Sequence, residues 1–179
     1  LPFGGGDILY YRTLADYRRL RELTGKGGRF AVIGGGFIGS ELAASLAMNQ
    51  KEVVLLFPGE GICERMFPPD LARFLNEYYR QKGVEVWSGE SAAGLERRGE
   101  QLLLSTESHR QVLVDGVVAG LGIRPNLELA RLAGLECGDG VVYRLAKQVR
   151  VVARYQQGPR GGVRREVRER NAIDPHVCR

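Results

Sequence analysis

Three consecutive glycines stand in "FAVIGGGFIGSELAASLA", Phe30 to Ala47, and two of them, Gly34 and Gly36, fall with Gly39 into the spacing GxGxxG. A glycine has no Cβ, so it allows a tight turn or the close approach of another group, at an entropic cost relative to alanine. In this spacing the first glycine makes the turn, the second admits a pyrophosphate to the backbone, and the third lets a helix pack on a strand. A helix starting there presents free N–H groups and a dipole equivalent to roughly half a positive charge, which favour phosphate. The chemistry on offer is dinucleotide binding. A glycine-rich turn with no ligand is the alternative that spacing alone leaves open.

The adenosine end of such a ligand is usually met by an acid about twenty positions after the glycine loop, which binds the ribose hydroxyls and disfavours a 2′-phosphate. Phe57 holds that position, and the nearest acid is Glu60 in "FPGEG". Glu60 either reaches the ribose or decorates a solvated turn. No arginine immediately follows the strand, since Lys51 begins it and Arg65 lies beyond the turn. This favours NADH over NADPH.

No metal is expected. Cys63, Cys137 and Cys178 form no CxxC pair and have only His109 and His176 beside them in composition. That spacing argues against a structural metal or a redox disulfide and for reduced thiols.

The elements that must position these residues follow from periodicity. "RTLADYRRLRELTGKGG" carries Leu14, Tyr17, Leu20 and Leu23 on one face, an amphipathic helix stopped by Gly25, Gly27 and Gly28. "RFAVIG" is a buried strand, "IGSELAASLAMNQ" a packed helix, and "KEVVLLF" the next strand. Strand, glycine turn, helix and strand in some thirty residues make a βαβ unit. Asp70 is placed to N-cap a helix whose Leu71, Phe74, Leu75, Tyr78 and Tyr79 form an apolar face, with Gly83 ending it before the strand "VEVW". "AGLERRGEQLLLSTESHRQVLV" reads as a small antiparallel meander. "DGVVAGLG" is a last strand, ended by Pro125, with Asn126 capping a short helix. The fold class is α/β, a Rossmann-like domain with a parallel sheet and a small meander.

The chain of 179 residues is 44% hydrophobic and 26% charged, enough for one globular domain or slightly more. No apolar run reaches the ~18 residues of a membrane span, and nothing marks the chain for secretion, so the reading is cytoplasmic. It begins on "LPFGGG" without methionine, which reads as the middle of a longer polypeptide. Its charge is uneven: residues 1–141 carry 16 basic against 18 acidic groups, net −2, and residues 142–179 carry 10 against 3, net +7.

From about Tyr11 to Gly140 the chain resembles the NAD(P)H-binding domain of FAD-dependent pyridine nucleotide-disulfide oxidoreductases. The resemblance rests on "YRTLADYRRL", "VIGGGFIGSELAASLA", "KGVEV" and "DGVVAGLGIRPNLELARLAGLE", in the family's order. "GGGFIGSELA" followed by "LLFPGEGI" looks most like the apoptosis-inducing-factor branch, NADH oxidoreductases without an active-site disulfide. The resemblance implies that the nicotinamide passes hydride to a flavin and that the protein orients both. It assigns Phe37 and Glu41 to the catalytic centre, Phe37 as a ring over nicotinamide and flavin and Glu41 as a carboxylate beside the nicotinamide amide. Gly34, Gly36, Ile38 and Gly39 would hold the dinucleotide, and Gly122 in "GLGIRPN" would offer backbone to the nicotinamide. On the residues alone, the alternatives are a hydrophobic plug between strand and helix for Phe37, ranked second, an acid complementing the helix dipole for Glu41, and part of a plain turn for Gly122.

The chain departs from that family at both ends. Residues 1–10 read as the remnant of a preceding FAD-domain segment, 11–141 as the NAD(P)H-binding domain, and 142–179 as a basic tail. The segments that would hold FAD are missing from this sequence, so FAD belongs to the intact enzyme. The tail reads as translation in a shifted frame, as a disordered linker or as a nucleic-acid arm. With Tyr155 the only aromatic in "RYQQGPRGGVRREVRER" and no RNA-binding signature, the arm ranks last. The implied acceptor is a ferredoxin-like protein, a quinone or a small molecule, and the oligomeric state is left open. A non-catalytic dinucleotide-binding or partner-docking module is the alternative function.

Overall fold

The computed structural model describes residues 1–142, so the readings placed on the basic tail lie, beyond Val142, outside the described residues. The chain divides into two units, Leu1–Gly122 and Ile123–Arg179.

In the first unit, five short strands pair in parallel: β1 (Ile8–Tyr10), β2 (Arg29–Ile33), β3 (Glu52–Phe57), β4 (Val84–Ser88) and β8 (Gly116–Ala119). Their order is β1-β8-β2-β3-β4. β2 and β3 are buried along nearly their whole length because the sheet is covered on both faces, which is why they read as continuous apolar runs. Residues 8–10 supply the edge strand of this sheet, with Ile8 opposite Val117.

One face carries the helices. Phe30, Val32, Val53, Leu55 and Val118 pack with Leu20 of α1 (Leu14–Lys26) and with Leu42, Ala43 and Leu46 of α2 (Phe37–Met48). Leu75 and Tyr79 of α3 (Pro69–Gln81) pack against the same core. The opposite face carries the meander of β5 (Ala92–Arg98), β6 (Gln101–Thr106) and β7 (Gln111–Val114), whose pairings are antiparallel. Leu102, Leu104, Val112 and Val114 cover Ala31, Ile33, Val54, Leu56 and Val117. The strict alternation of burial along β6 and β7 reflects this one-sided packing.

Local chemistry fixes the starts and ends. Thr13 caps α1 by accepting from the Asp16 N–H, and the Asp16 carboxylate accepts from the Thr13 N–H at 2.6 Å, a reciprocal capping box. Gly25 remains inside α1, and Gly27 closes it by donating to the Leu23 carbonyl. Asp115, between β7 and β8, accepts from the Gly28 and Arg29 amides at 2.7 and 2.8 Å and from Gln101 Nε2 at 2.9 Å. One carboxylate thereby ties the start of β2 to the meander.

Two expectations for α3 are corrected. Its cap is Pro68, with Asp70 in the first turn, because Pro69 takes the first helical position, where a missing N–H costs nothing. The buried residues are Ala72 and Asn76, while Leu71, Phe74 and Tyr78 stay exposed. The apolar residues of α3 therefore form two stripes, of which only one meets the core.

The strand β8 ends at Ala119, ahead of Gly120-Leu121-Gly122, so Pro125 is not what stops it. In the second unit the described residues hold a short helix α4 (Glu128–Leu132), capped by Leu127. Asn126 still contributes, accepting from the Glu128 N–H at 3.2 Å.

Candidate functional site

The glycine turn joins β2 to α2. Gly34 has φ +120°, and a Cβ there would fall 2.5 Å from the Gly120 carbonyl oxygen. A Cβ on Gly39 would fall 1.8 Å from the Gly34 carbonyl oxygen, and one on Gly120 would lie 2.7 Å from the Gly39 nitrogen. Gly34, Gly39 and Gly120 thus interlock the end of β2, the first turn of α2 and the end of β8. Gly120 was not singled out from the sequence, although it opens the "GLG" after the last strand.

Gly36 behaves differently. A Cβ there would meet nothing within 4 Å, and its φ of −82° and ψ of −173° suit any residue. The folded chain makes no demand for glycine at this position. Gly36 is the cap of α2, no side chain caps the helix, and the first helical bond is from the Ser40 N–H to the Gly36 carbonyl at 2.9 Å. The amides of Phe37, Ile38 and Gly39 precede that bond and face the helix end. An uncapped helix start beside a residue with open space at its Cβ position is a geometry that can accept an anion.

The loop after β3 is fastened to this turn. Cys63, at φ +56°, donates its amide to the Gly35 carbonyl at 2.7 Å. A Cβ on Gly35 would strike the Phe57 ring at 2.5 Å, so Phe57 supports the turn from below and is not available to a ribose. Asn76 of α3, buried, accepts from the Ile62 N–H at 3.0 Å and donates to the Glu60 carbonyl at 2.7 Å. Glu64 accepts from the Glu60 N–H at 2.7 Å. The backbone of Glu60 is therefore held from two sides, while its side chain is exposed. Asn76 was read only as part of a helix; its contact lies sixteen residues away in sequence and leaves no local signal.

Phe37 opens α2 and is 46% exposed, its ring meeting the edge of Phe67 at 6.0 Å between centroids. It is not enclosed between strand and helix. Glu41 is exposed one turn further along α2. With Tyr11, Arg12, Ile38, Leu42 and Ser45 it lines a cavity of about 380 Å³. Ile38 thus faces both that cavity and, in part, the core. Gly122 is exposed at φ +96°, two residues past the interlocked Gly120. The hydrogen bond from Cys63 to Gly35 joins the Glu60 loop directly to the turn, and Gly122 follows Gly120 by two residues.

Beneath the turn lies a small polar group. Tyr79 donates its hydroxyl to the Ser40 carbonyl at 3.2 Å, and Ser40 Oγ lies 3.9 Å from Cys63 Sγ. Burial pushes both the Cys63 thiol and the Tyr79 phenol up from their ordinary values, with hydrogen bonding to Ser40 acting against it. Both remain protonated at neutral pH. Among the described residues, no three His, Cys, Asp or Glu side chains gather as a metal site, and no helix is long and apolar enough to cross a membrane.

Known proteins are similar to this chain in sequence and fold. Putidaredoxin reductase CamA of Pseudomonas putida is 35% identical over 136 residues, covering 74% of this chain and 32% of that protein. The ferredoxin--NAD(+) reductase component of the anthranilate 1,2-dioxygenase system of Burkholderia cepacia is 34% identical over 146 residues, 78% of this chain and 35% of that protein. The solved covalent complex of putidaredoxin reductase with putidaredoxin superposes with a TM-score of 0.67 at 33% identity, over 78% of this chain and 36% of that one. The chain spans about a third of the length of the curated relatives it matches. The sequence pattern of one family runs over residues 4–152, through the parallel sheet, the glycine turn and the meander. The chain belongs to the pyridine nucleotide-disulphide oxidoreductase family.

Proposed function

We propose that residues 11–141 are the NAD(P)H-binding domain of a flavoprotein oxidoreductase that takes hydride from NADH and passes electrons to a ferredoxin-like acceptor. The observation that carries this reading is Gly36: its missing Cβ is not required by any neighbour and leaves the α2 terminus open. Relatives that are ferredoxin and putidaredoxin reductases support that acceptor class. The wording "GGGFIGSELA" and "LLFPGEGI" favours, within the family, the branch of the apoptosis-inducing factor.

In this reading Gly34 and Gly39 hold the shape of the turn, and the amides of Phe37, Ile38 and Gly39 take the pyrophosphate. Glu60 faces the adenosine ribose, its backbone fixed by Asn76 and Glu64. Glu60 is the acid nearest the end of β3 and no arginine immediately follows that strand, so NADH is preferred. Phe37 supplies an exposed ring and Glu41 an exposed carboxylate toward the nicotinamide, and Gly122 supplies backbone. FAD, when bound, would supply the acceptor for the hydride. The chain's own residues bind and orient, and no proton transfer by them is needed.

Calorimetric titration of the purified chain with NADH and NADPH tests the reading. Saturable binding with NADH preferred supports it. Equal affinity for NADPH removes the assignment of Glu60, and no binding by folded protein removes the domain assignment.

A further inference from the structure

The second apolar stripe of α3 is not explained by dinucleotide binding. Leu71, Phe74 and Tyr78 are 40%, 60% and 44% exposed on a helix whose opposite side already meets the core. Phe74 and Tyr78 stack at 6.2 Å between centroids, and the Lys82 ammonium lies 5.4 Å from the Tyr78 centroid. At about 100° per residue, Asp70, Leu71, Phe74, Tyr78, Gln81 and Lys82 share about one third of the helix surface. Asp70 stands at one end of that stripe and Lys82 at the other, both exposed.

This stripe is complementary to itself when reversed. An antiparallel second copy, related by a two-fold axis level with Asn76, sets Phe74 against Tyr78 of the other copy. The same operation sets Asp70 against the other copy's Lys82 on both flanks, each about 9 Å along the helix from the axis. It also places the positive end of each helix dipole beside the negative end of the other. A parallel arrangement would bring like charges together. Each copy offers Leu71, Phe74 and Tyr78 as a continuous apolar strip closed by opposite charges, the pattern of an isologous contact.

We propose that α3 is a self-association surface through which two copies of this chain pair antiparallel. Three half-exposed side chains per copy bury well under the ~1,200 Å² of a stable specific complex, so the dimer is weak and reversible, dissociating in roughly the 10–1000 µM range. The contact leaves the glycine turn free, since Phe74 and Tyr78 lie on the side of α3 away from Asn76 and the Glu60 loop.

Sedimentation equilibrium of the whole chain from about 10 µM to about 1 mM brackets that range. The weight-average mass should rise from 19.8 kDa toward twice that value. Phe74→Glu should hold the mass at the monomer value while the far-UV circular dichroism and thermal transition stay as in the parent. Asp70→Lys and Lys82→Asp should each weaken the dimer at least about threefold, and the double exchange should restore it, which a loss of folding would not do. A mass that stays monomeric throughout, a dimer indifferent to Phe74→Glu, or a double exchange no better than the single variants would overturn the proposal.

Discussion

Gly39 and Gly34 stand so close that a Cβ on Gly39 would fall 1.8 Å from the Gly34 carbonyl oxygen. The contact is backbone on backbone, so no side-chain rotation can relieve it. Gly39→Ala must push α2 away from β2 or distort the turn. A loss of about 2–4 kcal/mol in urea unfolding is expected, at the upper end for an added methyl. A change under about 0.5 kcal/mol, ordinary for a surface position, would show that the interlock is not tight.

Asn76 bridges the Ile62 amide and the Glu60 carbonyl from within α3. Asn76→Leu keeps the size but leaves two backbone groups without partners, which should cost about 2–3 kcal/mol. It should also loosen the loop that carries Glu60. NADH affinity measured under conditions where the variant is folded should fall severalfold, whereas a purely structural role would leave it unchanged.

The Asp115 carboxyl is held below the usual carboxylate range, chiefly by the Arg29 amide and next by Gln101. A carboxyl whose folded value is depressed adds stability above its unfolded value of about 3.9, and that stability is lost as pH falls through the folded value. The acid limb of the stability profile should therefore flatten in Asp115→Asn, with the largest parent-to-variant gap above about pH 4. Urea midpoints between pH 2 and 7 measure this, and an unchanged slope would contradict the role given to Asp115.

Burial raises the Cys63 thiol, and the thiolate is the reactive form. Alkylation at pH 8 followed by peptide mapping should show Cys63 reacting much more slowly than Cys137, which is only partly covered. If the glycine turn binds the dinucleotide as proposed, NADH should slow Cys63 further, because the Cys63 amide is fastened to Gly35 in that turn. Equal rates at the two cysteines would show that the loop opens freely.

What could be read from the sequence was what neighbouring residues decide. The glycine spacing, the short apolar runs of β2 and β3 and the alternation along β6 and β7 each encode one element within a few residues, and the structure agrees with them. The cap of α3 went to Pro68 because proline at the first helical position outweighs the capping tendency of Asp70. The two stripes of α3 could not be separated by periodicity, since aromatic residues on both sides give the same count whichever side meets the core. Asn76, Gly120 and Cys63 were out of reach for another reason. Their partners, Glu60, Gly39 and Gly35, are brought to them only by the packing of α2, α3 and β8.

Gly36 is where the proposed binding role and folding part company: no neighbour requires its missing Cβ, and in the proposed reading its open side receives the dinucleotide. Gly36→Val should cost about 1 kcal/mol or less in stability, as expected for losing a tolerated helix cap. Calorimetric titration of the parent and this variant with NADH is the most direct test. The account predicts saturable binding by the parent and a loss of at least about tenfold in the variant, about 1.4 kcal/mol, with the fold retained. Unchanged affinity in a folded Gly36→Val chain would contradict the placement of the pyrophosphate and with it the central claim.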